Sequence, residues 1–416
     1  MKKASDFLKG CWYSVFRTGW PQSAKEQSLV MTSSLFLHLH PVKVKKRTLA
    51  FRLTLGLGMI SFFLFVCLVV TGILLMLYYT PYPAAAYRSM KDLEFAVSFG
   101  WILRNMHRWA AHGMVLIVIL HLCRVFYTGS YKKPREFNWA VGVFLLILTL
   151  GLSFTGYLLP WDQLAYWAIT VGSTIASYVP VVGDKIRYLL VGGNVIGEGT
   201  LLRFYVLHCF ILPFLMVLLI SVHFWRIRKD GGLASPEESP LPENVLEGDS
   251  GQFPPSPKTY GLMALSEGGR HRKAQWGDPE NEVFSWPHLL YRELLLFMIV
   301  SAGLMLISIL FQAPLEEMAN PTRTPNPAKA PWYFLGLQEL VHYSALLGGV
   351  LIPAALVLFL VALPYLDRNP QGAGVWFHPA RRQGLVLFTV CLALLTVLTL
   401  IGTFFRGPNW ALVWPW

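Results

Sequence analysis

Charged residues occupy only 14% of the 416 positions, against about a quarter in a soluble domain. With 54% hydrophobic residues and a mean hydropathy of +0.48, an ordinary water-soluble enzyme is excluded. Cysteine is scarce and unpatterned. Cys11, Cys67, Cys123, Cys209 and Cys391 form no CxxC, CxxCH or disulfide spacing, so an iron–sulfur cluster or a covalent c-type haem must reside on another chain. About fifty residues precede the first apolar run, and no cleavable signal peptide is expected. No repeat links the two halves, which argues against a transporter built from inverted repeats. The excess of 35 Lys and Arg over 23 Asp and Glu forms no stripe suited to nucleic acid, and its simplest meaning is topological.

What the chain does contain is long apolar runs. Spans are predicted at approximately 52–79, 101–127, 138–159 and 201–226, then at 290–312, 346–366 and 384–405. The expected fold is an all-α polytopic membrane protein. It divides into an amphipathic surface segment at 1–50, a four-helix domain at 51–229, a Pro/Glu/Ser/Gly-rich linker at 230–286 and a three-helix domain at 287–416. Nine Lys and Arg fall in residues 1–50, three more in Lys132, Lys133 and Arg135, and Arg226, Arg228 and Lys229 end the fourth span. The opposite loops are poorer in both. The N-terminus is therefore predicted inside and, after seven spans, the C-terminus outside. The stretch from Asp162 to Ser177 is amphipathic and is expected along the outer surface.

Ionisable side chains inside spans are costly and point to function. The second span carries His107 and His121, fourteen residues apart, and the fourth carries His208 and His223, fifteen apart. At about 100° per residue, fourteen falls about 40° short of four turns and fifteen about 60° beyond. Each pair thus keeps roughly to one helix face, about 21–22 Å apart along the axis. The two spans run in the same direction, so His107 is level with His208 near the outer face and His121 with His223 near the inner. Two stacked bis-imidazole sites suit haem iron. A lone intramembrane histidine is more often a packed, hydrogen-bonded residue, and His112, about 140° from His107, is read that way.

Glycine adds an independent signal. Gly58 and Gly72 in the first span and Gly142 and Gly156 in the third share the fourteen-residue spacing. Glycine weakens a helix unless something approaches its backbone closely, and a flat macrocycle at two levels supplies that reason. Arg104 and Arg124 lie three residues from a candidate ligand, where a guanidinium can meet a haem propionate.

The stretches GWILRNMHRWAAHGM…HLCR (100–124), TGYLLPWDQLAYWA (155–168) and TLLRFYVLHCF…HFWRIRKDG (200–231) resemble the cytochrome b of quinol-oxidising cytochrome bc and bf complexes. The fifteen-residue histidine spacing and PWDQ resemble the plastid-type bf protein. NPAKAPWYFLGLQEL (326–340) resembles the separate small subunit of bf complexes, here fused into one chain. The resemblance implies bifurcated quinol oxidation at an outer site, two haem b groups, quinone reduction at an inner site and proton translocation. It implies a low-potential haem on His107 and His208 and a high-potential haem on His121 and His223. The outer quinol site would involve Asp162, Tyr166, Ala168, Trp332 and Tyr333, and the inner quinone site Arg228 and Lys229. Implied partners are a Rieske iron–sulfur protein, a c-type cytochrome, the lipid membrane and a second copy of the complex, in a bacterial cytoplasmic membrane.

Two departures qualify that resemblance. The plastid-type cysteine that holds an extra haem falls on Gly56, so no covalent haem is expected. The PEWY motif falls on Ala330, Pro331, Trp332 and Tyr333, which removes the glutamate credited with accepting a quinol proton. A base must still lie within reach of the quinol, and Glu339, inside an apolar stretch, is the favoured replacement, followed by Asp162. A dihaem subunit of a hydrogenase or formate dehydrogenase, or a proton-coupled transporter, are the competing readings.

Overall fold

A computed structural model describes residues 21–33, 40–235 and 282–414. Residues 1–20 and 34–39 of the expected surface segment at 1–50 and most of the linker, 236–281, lie outside the described residues. All seven expected spans are helices long and apolar enough to cross a bilayer. After α1 (Ala24–Ser33) and β1 (Lys43–Lys45) come α2 (Leu57–Met76), α3 (Pro83–Phe95), α4 (Gly100–Tyr127) and α5 (Glu136–Leu158). Next are α6 (Gln163–Ser177), α7 (Gly183–Val191) and α8 (Glu198–Lys229). β2 (Glu282–Phe284), α9 (Ser285–Leu310), α10 (Trp332–Tyr343), α11 (Leu347–Leu366) and α12 (Pro379–Phe404) complete the chain. The fold class is the one the sequence predicts.

In the first four spans α2 lies along α4 and α8 along α5, with α4 also touching α5. Lipid is as apolar as a leucine side chain, so these contacts rest on close packing rather than on escape from water. The central core joins Leu64 and Phe65 of α2, Ala110 and Met114 of α4, Met216 of α8 and Leu304 of α9. Met114 lies midway between His107 and His121, and Met216 almost midway between His208 and His223. A dry apolar layer therefore separates the two histidine levels.

The last three spans are bound to the bundle by buried polar contacts. On α4, Asn105 donates to the Ser308 carbonyl and accepts from the Ala313 amide, each at 2.9 Å. Trp109 Nε1 donates to the Phe311 carbonyl at 2.7 Å. At the opposite end of α4 Lys132 pairs with Asp367 at 3.1 Å, and Tyr131 donates to the same carboxylate at 2.5 Å. β1 pairs antiparallel with β2, Val44 opposite Val283, tying the segment before the bundle to the start of α9.

Candidate functional site

Each of the four histidines abuts one of the four glycines across a helix pair. A Cβ on Gly72 would lie 3.2 Å from His107 Cε1, and one on Gly58 3.1 Å from His121 Cε1. On the other pair, Gly156 would place it 2.5 Å from His208 Cε1 and Gly142 3.8 Å from His223 Cε1. A side chain on Gly58, Gly72 or Gly156 would thus crowd the imidazole opposite, whereas one on Gly142 would meet His223 at ordinary contact distance. At the outer level the His107 and His208 ring centroids are 6.2 Å apart. At the inner level His121 and His223 line one cavity with Arg124, Asn138 and Gly142.

Thr71 Oγ1 donates to the Cys67 carbonyl at 2.7 Å, and Thr155 Oγ1 to the Gly151 carbonyl at 2.9 Å. A hydroxyl has one proton, so each can only accept from the imidazole beside it. His107 Nδ1 meets Thr71 Oγ1 at 2.9 Å. His208 Nδ1 meets Thr155 Oγ1 at 3.2 Å and the Leu152 carbonyl at 3.1 Å. Both rings therefore carry hydrogen on Nδ1 and keep a lone pair on Nε2, the arrangement of a metal-ligating histidine.

Among the described residues no group of three or more His, Cys, Asp or Glu could hold a bare metal ion. Two imidazoles per level need the other ligands from a macrocycle. Arg124 also fits: its Nε donates to the Leu53 carbonyl at 2.9 Å, while its Nη2 is buried without a partner at the inner cavity. A propionate would satisfy it. Arg104 is engaged differently. Its two terminal nitrogens donate to the Ala313 and Pro314 carbonyls at 2.9 and 2.7 Å, so it fastens the loop after α9 instead. Arg108, passed over in the sequence reading, keeps a buried Nε without a partner and stands over the Tyr157 ring at 5.2 Å.

The unequal histidine spacings are reconciled by a π-turn at Leu207–Ile211 in α8. Pro213 has no N–H for the Cys209 carbonyl, and the Leu212 amide bonds back to the Leu207 carbonyl. One extra residue is absorbed there, so fifteen residues on α8 do the work of fourteen on α4. The same device recurs at Leu347–Leu351, just before Pro353. Deleting Phe210, an exposed residue within the turn, is expected to restore a regular helix and retain both haems. Deleting Leu218, beyond the turn, is expected to rotate His223 by about 100° and empty the inner site. Haem per chain, measured by pyridine haemochrome, checks both; equal loss in the two variants would refute the account.

Around His107 and His208, Tyr157 has Arg108, Asp162, Tyr333 and Glu316 within electrostatic range, so the PWDQ and PWYF segments flank the same tyrosine. Asp162 caps α6 by accepting the Ala165 amide at 2.8 Å and holds the 316 loop through the Glu316 amide at 3.2 Å. Burial pushes its carboxyl above the ordinary range, against those two amides and the nearby arginines. Tyr166 packs edge-on to Trp161, 6.0 Å between centroids, and Ala168 sits beside the same core. Trp332 Nε1 donates to His112 Nδ1 at 3.1 Å, and the Tyr333 ring meets His112 at 5.6 Å. His112 is thus a packed, hydrogen-bonded histidine, and its partner belongs to the PWYF turn.

Glu339 stands elsewhere. It is 1% exposed and grips Arg406 through both oxygens, with contacts at 2.8 and 2.9 Å. That geometry speaks against its expected role as proton acceptor, because the Arg406 guanidinium occupies both carboxylate oxygens. Neither Arg228 nor Lys229 lines the cavity of His121 and His223, whereas Arg135 does. Lys229 lies over the Trp225 ring at 4.8 Å.

Residues 44–231 match the family model described as Cytochrome b/b6/petB, and residues 318–408 that described as Cytochrome b(C-terminal)/b6/petD. Cytochrome b6 of Porphyra purpurea is 48% identical over 175 residues, covering 42% of this chain and 81% of that protein. Cytochrome b6 of Heliobacterium mobile is also 48% identical, over 42% of this chain and 82% of its own length. A solved chain described as Hyperthermophilic respiratory Complex III superposes with a TM-score of 0.68 at 26% identity, covering 84% of each chain. The four histidines lie within the first matched segment and Trp332 and Tyr333 within the second, and the chain belongs to the cytochrome b/b6 family.

Proposed function

We propose that this chain is the cytochrome b subunit of a quinol:cytochrome c oxidoreductase or of a complex using a similar acceptor. The observation that carries the reading is the pairing of four histidines, each against its own glycine, at two levels of one bundle. His107 and His208 would hold one haem b and His121 and His223 the other. Those groups would supply one-electron redox chemistry between the two faces of the membrane. Everything else falls to the chain. Gly58, Gly72, Gly142 and Gly156 give clearance, Arg124 offers a buried donor to a propionate, and the layer around Leu64, Met114 and Met216 excludes water between the levels.

Quinol would be oxidised at the outer level, between the PWDQ and PWYF segments. Asp162, Tyr166 and Ala168 shape one wall, and Trp332 and Tyr333 the other, with Trp332 held by His112. Of the two two-electron quinol's electrons, one would pass to a Rieske iron–sulfur protein and on to a c-type cytochrome, the other inward to quinone. Two protons leave the quinol, and Asp162, whose burial favours protonation, is the remaining carboxylate candidate to accept one. Quinone would be reduced at the inner face, where Arg135 joins Arg228 and Lys229 as a candidate cation. The complex is assigned to a bacterial cytoplasmic membrane as a homodimer, N-terminus inside and C-terminus outside.

The test is the purified complex with its co-extracted quinone. Two b-type haems per chain, extractable by acid acetone and reducible by quinol, are expected. No Soret band, or one haem per chain, would overturn the assignment.

A further inference from the structure

The two histidine levels differ in what supports the imidazoles. Both outer rings bond through Nδ1 to a threonine that directly precedes the clearing glycine, Thr71 before Gly72 and Thr155 before Gly156. At the inner level Leu57 and Val141 take those places before Gly58 and Gly142, and neither side chain can accept a hydrogen bond. The Nδ1 atoms of His121 and His223 meet no hydroxyl, and only the Asn138 backbone stands beside His223.

We propose that Thr71 and Thr155 are positioning residues that lower the reduction potential of the outer haem relative to the inner. The inference deepens the proposed function and rests on it. Each hydroxyl is oriented by its own helix: the proton is committed to the carbonyl four residues back, so the oxygen faces the imidazole as an acceptor only. An Nδ1–H hydrogen bond makes the imidazole a stronger electron donor through Nε2, which favours the ferric over the ferrous metal. The same bond fixes the ring's tautomer and rotation. With two threonine hydroxyls accepting from the outer imidazoles and none at the inner level, the downhill direction for an electron is inward, which is the direction the proposed function requires.

The experiment is a redox titration of the b-type absorbance in the purified complex, comparing wild type with Thr71→Val, Thr155→Val and the double variant. Valine keeps the shape and removes the acceptor. In the double variant the lower-potential wave is expected to rise by a ferrous-to-ferric ratio of about fivefold, roughly 40 mV at 59 mV per tenfold. The higher-potential wave stays in place. Thr155→Val alone should move it less, because the Leu152 carbonyl still accepts from His208. Thr71→Ser and Thr155→Ser keep the hydroxyl and should restore the wild-type value. The wave reports only loaded haem, so partial loss of cofactor does not obscure the reading. An unmoved lower wave, equal shifts of both waves, or a shift that serine does not reverse would each overturn the inference. A wild-type complex lacking two b-type waves would instead overturn the proposed function.

Discussion

His121→Ala is expected to leave one b-type haem per chain and to reduce steady-state quinol oxidation by at least about 100-fold. That figure is the upper end of what loss of a mere outer-shell partner costs a metal site, and here an axial ligand itself is removed. His223 would remain as a single imidazole beside the cavity that also holds Arg124 and Asn138. The outer level should survive, because His107 and His208 keep their own threonines and glycines and the layer around Met114 insulates them. A single turnover of quinol oxidation should therefore remain measurable when an outer acceptor is supplied. Haem content and the stopped-flow trace settle the matter together. Two haems in the variant would remove His121 from the ligand set, and loss of both would show that the levels do not assemble independently.

That independence has a physical origin in the helix period. Fourteen residues bring both the histidines of α4 and the glycines of α2 and α5 back to nearly the same face, so the two sites are two copies of one packing solution. This is why the site was legible in the sequence at all. Periodicity and apolar length are enough for seven spans, two histidine levels and a helix from Gln163. What they could not supply was anything settled by distant partners. The π-turn at Leu207–Ile211 follows from Pro213 locally, yet its purpose shows only when α8 is set against α4. The Thr-Gly pairs at 71–72 and 155–156 were readable as a repeated dipeptide, but their meaning lies in which ring stands opposite. Arg104 and Arg108 differ by one helical turn and have unlike fates, one fastened to the 313–314 carbonyls and the other left with a buried free donor. No sequence spacing distinguishes them.

Glu339→Leu should destabilise the C-terminal helices by about 3 kcal/mol while leaving the pH profile of quinol oxidation unchanged in shape. Removing one partner of a buried ion pair strands the other charge, at a typical cost of about 3–5 kcal/mol. The lower end applies because Arg406 lies just beyond α12, close to water, and keeps other partners: the Trp410 carbonyl at 2.8 Å and the Tyr343 hydroxyl at 3.4 Å. The pair ties α10, which begins with the PWYF residues, to the end of α12, so its loss loosens the support of the outer pocket from behind. Arg406→Leu should be at least as damaging, since it leaves a carboxylate that is 1% exposed. The double replacement Glu339→Leu with Arg406→Leu should recover much of the loss, because a well-packed apolar pair often matches a buried ionic one. The measurement is the thermal midpoint of the purified complex for the two single variants and the double, read beside the pH dependence of quinol oxidation. A Glu339→Leu variant of normal thermal stability whose activity fell with a displaced pH profile would return the glutamate to the proton path. Destabilisation relieved by the second substitution, with the profile intact, would fix it as the brace of the pocket and leave proton acceptance to the groups around Tyr157 and Asp162.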